Sequence, residues 1–447
     1  MSGIVRLNQL PEGSGNLTSD DIFVFMDDPS GSAVTKKISL SEIVDVIPKS
    51  QPFDPTILIN DDNSVSAYML TSIWDNQFEN FTAIGLRIGD SVTSIGNDAF
   101  YFCSGFTGNL TIPDSVTTIG SNAFNNCSGF TGNLTIPDSV TTIGSDAFYF
   151  CSGFNGSLTI GNSVTTIGDY AFRATEFTGS LTIGNSVTTI GNYAFNSCAG
   201  FNGSLTIGNS VTSIGNYAFG YCYGFNGSLT IGNSVTTIGS YAFVYCSGFS
   251  GSLTIPDSVT TIGSYAFYFC SGFTGNLTIP DSVTTIGYAA FNSCAGFNGS
   301  LTIGNSVTSI GNYAFGYCYG FNGSLTIGNS VTSIGNNAFY FCSGFTGNLT
   351  IPDSVTTIGN YAFYACDGFN GSLTIGNSVT SIGNYAFHNC INFTNINSYV
   401  ARSVLDITNP FQGCTNITTL HARASDSSWT TGSDTIGGIT VTVIKDL

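Results

Sequence analysis

The sequence predicts a β-rich, one-dimensional solenoid of about thirteen coils of 24 residues, built from short strands plus one helical or 3-10 turn per repeat and closed by separate caps. Three observations predict it. The segment Leu110 to Asn133 (LTIPDSVTTIGSNAFNNCSGFTGN) recurs with Leu at 134, 158, 181, 205, 229, 253, 277, 301, 325, 349 and 373, and a weaker copy starts at Leu86. Within each copy, apolar and hydroxyl residues alternate in Leu-Thr-Ile, the period of a strand that buries one face. Residues 194 to 236 also recur unchanged at 290 to 332, the mark of a duplicated block of repeats.

Each repeat reads as a sequence of short pieces. After Leu-Thr-Ile comes a turn dipeptide, Pro-Asp at 113, 137, 256 and 280 or Gly-Asn at 161, 184, 208 and 232. Those unlike pairs share only the ability to turn a chain, so the position has a backbone role. Val-Thr-Thr-Ile-Gly is a second extended piece, and Ala-Phe-x-x-Cys has the i, i+3 apolar spacing of a single helical or 3-10 turn. Gly-Phe-x-Gly then returns the chain to the next strand. One repeat is a residue shorter, because the copy at Leu158 reads AFRATEF where a neighbour reads AFNSCAGF. Stacked at the strand spacing of roughly 4.8 Å, such coils make a rod or shallow arc about 60 Å long. Its core should be ladders of Leu, Ile, Val and Phe, and each buried Phe, as in Phe195/Phe201 and Phe219/Phe225, contributes on the order of 1.5 to 3 kcal/mol.

Charge restricts the partners. The chain carries a net charge of −18 with only 8% charged residues, so hydroxyls and amides supply most of its polarity. Between Ile88 and Ala401 the single basic residue is Arg173. No Lys/Arg stripe is available to neutralise phosphates, which speaks against nucleic acid and anionic membrane as partners. No 18-residue apolar run predicts a membrane span, and the N-terminus lacks the basic start and apolar stretch of a signal peptide.

Chemistry has little to work with. All thirteen cysteines fall at one repeat position or its degenerate continuation, from Cys103 to Cys414. There is no C-x-x-C, and the two histidines are His388 and His421, so the column reads as buried small residues, with no metal and no cofactor expected. The Asp of Pro-Asp becomes Asn in over half the repeats, which would abolish any acid or base there, and an enzyme is not expected. Asp169 and Glu176 beside Arg173 read as a solvated defect at the shortened repeat. An outward rank of Thr111, Thr135, Thr159, Thr182 and Thr206 raises an ice-binding alternative. One Thr per strand, however, fits a β-branched polar strand former better than a flat two-rank lattice. Variation concentrates around the Cys, where Tyr221, Tyr223, Tyr245, Tyr268, Tyr317 and Tyr319 are expected to project along one edge as the candidate ligand-binding residues.

The string L-T-I-P-D-S-V-T-T-I-G-x-x-A-F-x-x-C-x-G-F, as at Leu253 to Phe273, resembles the BspA-like, or Treponema-type, class of leucine-rich repeat over roughly residues 86 to 395. The resemblance implies a leucine-rich-repeat solenoid acting as a non-catalytic surface adhesin of a bacterium or protist. Residues 1 to 48 point elsewhere. DIFVFMDD (Asp21 to Asp28) reads as a strand, Pro29-Ser-Gly-Ser as a turn, AVTKKISL (Ala33 to Leu40) as a returning strand, and Ser39-x-x-Glu42 as a capping box opening a short helix. This segment resembles an attachment or oligomerisation module of bacteriophage tail-fibre and other virion proteins. It implies a virion receptor-binding protein, a homotrimer through that module, whose repeats bind a host cell-surface protein or polysaccharide. That is the first reading; a cell-surface adhesin is the alternative, and a structural or ice-binding repeat protein the third. Residues 49 to 85 read as a linker and N-terminal cap, and 396 to 447 as a degenerate repeat and C-terminal β cap, with DTIGGITVTVI (Asp434 to Ile444) a hairpin turning at Gly437-Gly438.

Overall fold

A computed structural model describes residues 85–406 and 409–447, with strand backbone at 21–27, 33–39, 57–59, 64–67 and 72–73. Most coils contribute two short strands to two parallel columns, the first of which is interrupted at Leu110 and Leu253, where no strand forms. In the first column Leu158, Thr159 and Ile160 pair in register with Leu134, Thr135 and Ile136, and the burial alternates buried, exposed, buried as the pattern requires. In the second, strands such as Thr142–Ile143 form one parallel sheet of fourteen, from Ser72–Ile73 to Ser381–Ile382. Because each coil sits on a near copy of itself, the strand and core residues meet their own kind one coil away.

That vertical self-contact explains the weakly charged composition. The Thr141 hydroxyl donates to the Thr117 carbonyl at 3.2 Å, Thr165 to Thr141 at 3.1 Å, and Thr212 to Thr188 at 3.2 Å. At another corner the Asn192 side-chain carbonyl accepts the Asn216 N–H, and that of Asn216 accepts the Ser240 N–H, each at 2.8 Å. Hydroxyls and amides therefore satisfy coil edges that would otherwise be left unpaired. Inside, Phe195 stacks on Phe219 at 5.1 Å and Phe201 on Phe225 at 5.7 Å between ring centroids, all four rings fully buried.

The Ala-Phe-x-x-Cys segment is not the helical or 3-10 turn its spacing predicts. It is a run of β-turns whose N–H groups alternate between two directions. Ala171, Arg173 and Thr175 donate to the carbonyls three residues back, whereas Tyr170, Phe172 and Ala174 donate to Asn192, Ala194 and Asn196 of the next coil. A helix would spend every N–H within its own coil and leave none to join coils. Only Arg402–Leu405, in the C-terminal region, is α-helical among the described residues.

The strand columns run past both ends of the near-identical repeats, to about fifteen turns in all. Ser64–Ala67 pairs in parallel with Gly85–Ile88, and Asn395–Ser398, Thr419–Ala422 and Ile439–Lys445 extend the first column. The expected hairpin closes this end: Gly432–Ile436 pairs antiparallel with Ile439–Lys445 around Gly437 and Gly438, both at positive φ. Trp429 is buried there with its indole N–H on the Val400 carbonyl at 3.1 Å. Arg402 grips Asp434 through two contacts of 2.9 and 3.0 Å, which holds that carboxyl below its usual range. Near the N-terminus Asp21–Asp27 and Ala33–Ser39 pair antiparallel as expected. The turn between them, the Ser39/Glu42 capping box and most of the 49 to 85 linker lie outside the described residues.

Candidate ligand-binding edge

Two positions in every turn run have left-handed backbone, four residues apart. Asn and Asp adopt that conformation readily, but a bulky side chain there is held against a cost of roughly 1–2 kcal/mol. Some coils use the unstrained choice, as at Asn122/Asn126. Others do not, and their aromatics form two columns along the edge of the rod.

The outer column, one residue before the Cys, contains Phe102, Phe150, Tyr221, Tyr245, Phe269, Tyr317 and Phe341, at φ between 53° and 62° and 37 to 46% exposed. Tyr221 stacks on Tyr245 at 5.3 Å, Tyr245 on Phe269 at 5.0 Å, and Tyr317 on Phe341 at 5.8 Å. Tyr223 and Tyr319, just after the Cys, are the most exposed large aromatics described, at 56% and 59%. Five of the six predicted tyrosines are thus exposed along this edge as a ridge in two groups, Tyr221, Tyr223 and Tyr245 and then Tyr317 and Tyr319, with Ser293 at the ridge position between them. Tyr268 does not project with them. It is half-buried and meets Tyr245 and Tyr265 edge-on, because it precedes the ridge position that Phe269 holds.

The inner column was not recognised from the sequence. Tyr170, Tyr193, Tyr217, Tyr241 and Tyr265 stack with centroids 4.8, 4.6, 4.3 and 4.5 Å apart. Together with Asp169, Asn192, Asn216 and Ser240, the first four line an open groove of about 430 Å³. At one end Arg173 is not a solvated charge: its guanidinium lies 5.5 to 5.6 Å from the rings of Tyr149, Tyr170 and Tyr193, with Nε on the Asn196 side-chain carbonyl at 3.3 Å. Burial, then the nearby Asp169, raise the Asp146 carboxyl, and Arg173 partly offsets them.

Tyr217, in the middle of the ladder, has a titration signature. Burial, then the phenols of Tyr241 and Tyr193, push the Tyr217 hydroxyl from 10.0 up to about 12. The folded protein keeps this proton where the unfolded chain loses it. The contribution of Tyr217 to stability is therefore complete below pH 10 and is lost as pH rises through about 12. Tyrosine absorbance followed during alkaline titration should show a late class of phenols whose ionisation coincides with loss of ellipticity; ionisation of every phenol in one step near 10 would contradict the ladder.

The cysteines form an interior column. All thirteen are free and buried. From Cys127 to Cys414 each thiol sits on a Phe carbonyl of the preceding coil, as Cys246 on Phe219 at 3.0 Å. In the shortened repeat Thr175 takes the slot, fully buried, with its hydroxyl on the Phe172 carbonyl at 2.9 Å. The column therefore selects a small buried donor rather than a simply apolar residue. Burial pushes the Cys198 and Cys246 thiols up to about 12, so no thiolate forms at neutral pH. An aromatic disulfide reagent should leave all thirteen thiols unmodified in the native protein and titrate all of them after denaturation; fast native labelling of even one would refute this burial. Among the described residues no group of His, Cys, Asp or Glu is arranged to hold a metal, and no helix is long and apolar enough to cross a membrane.

Comparison with known proteins agrees with the coil geometry. The model of the BspA type leucine rich repeat region matches residues 71–202, 201–322 and 308–431. A leucine-rich repeat protein from Bacteroides ovatus has a similar structure at 24% identity, over 91% of this chain and 94% of that one, with a TM-score of 0.55. A leucine rich cell surface protein from Faecalibacterium prausnitzii is 24% identical over 85% and 96%, with a TM-score of 0.43. The pneumococcal vaccine antigen PcpA is 15% identical over 92% and 93%, with a TM-score of 0.35. Among curated protein sequences, none matches the chain.

Proposed function

This chain belongs to the BspA-type leucine-rich repeat family, and from that premise we propose that it is a non-catalytic adhesin, working at a cell surface and holding a surface protein or polysaccharide through its aromatic edge. One observation carries the proposal: the ridge of Tyr221, Tyr245 and Tyr317 keeps exposed rings at left-handed positions that equivalent coils fill with Asn126 or Asn389. The fold does not require these rings, and they cost both strain and apolar exposure, so their use lies outside the fold. Tyr and Phe are suited to it, because a rigid amphipathic ring loses little entropy on binding.

The phage reading is placed second. Its support is the likeness of residues 1 to 48 to tail-fibre modules, including the paired strands Asp21–Asp27 and Ala33–Ser39, and the family match begins only at residue 71. A virion location and a homotrimer through that module belong to this second reading. The exposed Thr rank of the first strands is uniform from coil to coil and offers avidity without discrimination, which ranks it below the ridge as a binding face. The test is saturable attachment of the labelled full chain to intact cells, with the ridge tyrosines present and replaced; no attachment to any cell type would sink the proposal.

A further inference from the structure

The inner tyrosine ladder has no part in the ridge, and its sequence contains its own control. The repeated blocks 194 to 236 and 290 to 332 are identical, yet the columns beside them differ. Across and beside the first block the left-handed position reads Tyr193, Tyr217, Tyr241; across and beside the second it reads Ala289, Tyr313, Asn337, the flanking positions carrying the difference. Both blocks form the same coils. A continuous ladder is therefore dispensable for coil formation, and it is maintained only from Tyr170 to Tyr265, ending where Tyr288 tilts by 49° against Tyr265.

The groove beside this ladder is open, straight and polar. Its backbone is already occupied, since the Tyr170, Tyr193 and Tyr217 N–H groups donate to the next coil. A peptide strand finds no free edge there. The Oδ1 atoms of Asn192 and Asn216 are likewise committed to the next coil. What remains for a ligand is a file of phenol hydroxyls, with Tyr217 already bonded to Tyr241, together with the Asn216 amide nitrogen and Ser240, the Asn192 amide nitrogen being held by Asp169, and the file repeats with the rings every 4.3 to 4.8 Å. The charge is wrong for an anion: Asp146 and Asp169 stand at one end, and Arg173 is laid on three tyrosine rings.

From this we infer that the groove from Tyr170 to Tyr241 binds an extended, neutral, β-linked polysaccharide lying parallel to the rod axis, one sugar per coil. A sugar in such a chain advances by slightly more than one strand spacing and is turned over relative to its neighbour, so alternate sugars present the same hydroxyls to the file of phenols. Small per-coil contacts then add along a preformed track, with little ordering of the protein. The inference deepens the adhesin reading by naming a ligand class, and rests on that reading for its biological setting.

The test is affinity gel electrophoresis of the full chain in hydroxyethylcellulose, galactomannan, soluble starch and heparin. Tyr193→Ala with Tyr241→Asn gives the first block the residues with which the second already forms its coils. Tyr193→Phe with Tyr217→Phe keeps the stack and removes only hydroxyls. We expect retardation by at least one of the two extended β-linked polymers, weaker or none by coiled starch and heparin, and a loss of at least tenfold in apparent affinity for both groove variants. Ridge variants should keep it. No retardation by either β-linked polymer, or undiminished retardation of the Phe variant, overturns the inference. Binding lost with the ridge and kept without the groove would also overturn it while leaving the adhesin reading standing; glycan binding without cell attachment would do the reverse.

Discussion

Gly215→Ala is expected to split the array at one coil boundary, lowering stability by on the order of 3 kcal/mol or more. A Cβ at Gly215 would lie 2.6 Å from the Asn192 nitrogen and 2.6 Å from the carbonyl carbon and oxygen of Gly191. All three are backbone atoms of the preceding coil and cannot rotate away. The coils must separate locally, and neighbouring ladders on both sides lose their registration with them. Because a solenoid's stability is a sum of coil and interface terms, the damage should appear as a second, earlier unfolding transition rather than a uniform shift. Gly208→Ala is the matched control, with nothing within 4 Å of its added Cβ and a position that other repeats fill with Pro. It should be neutral or slightly stabilising, by ~0.4–1 kcal/mol, through the unfolded chain. Thermal unfolding that is equally mild for both variants would show that coil contact at Ile-Gly does not limit the stack.

What the sequence made legible depended on which physical signal each element carries. Burial of Leu-Thr-Ile was readable because alternation has a period of two and nothing else produces it. The Asp434 to Ile444 hairpin was readable because Gly437-Gly438 supplies the two positive φ values a tight turn needs. The Ala-Phe-x-x-Cys segment was misread because i, i+3 spacing is shared by a 3-10 turn and by overlapping β-turns. The signal that separates them was present in the Asn pair 122/126, four residues apart, which marks left-handed backbone. The inner ladder was missed for a related reason: Tyr193, Tyr217 and Tyr241 stand five residues before the Cys, at a column read as freely variable. The terminal coils lost the repeated residues but kept alternation, as in Asn395–Ser398, so a search for identity stopped short of them.

Replacing Tyr221, Tyr245 and Tyr317 with Asn, and Tyr223 and Tyr319 with Ser, is expected to reduce cell attachment far more than tenfold while leaving the melting temperature within a few degrees of the parent. The two halves of that expectation have different causes. For stability, Asn relieves about 1 kcal/mol or more of backbone strain at each left-handed position. It also removes a ring pair worth about 0.5–1.5 kcal/mol, such as Tyr221 on Tyr245 at 5.3 Å, so the two effects nearly cancel. Asn126 and Asn389 already show that coils accept this residue, and Ser247 and Ser271 already occupy the column of Tyr223 and Tyr319. For attachment, loss of one anchoring tyrosine typically costs more than about 1 kcal/mol, and tenfold corresponds to about 1.4 kcal/mol. Five anchors acting together on one surface therefore exceed tenfold even when their effects overlap. Normal attachment by this variant, with attachment abolished by Thr→Val changes at Thr206, Thr230, Thr254 and Thr278, would move the binding face to the Thr rank, because those exposed threonines lie in the Leu-Thr-Ile segment of their coils and the ridge tyrosines in the turn run.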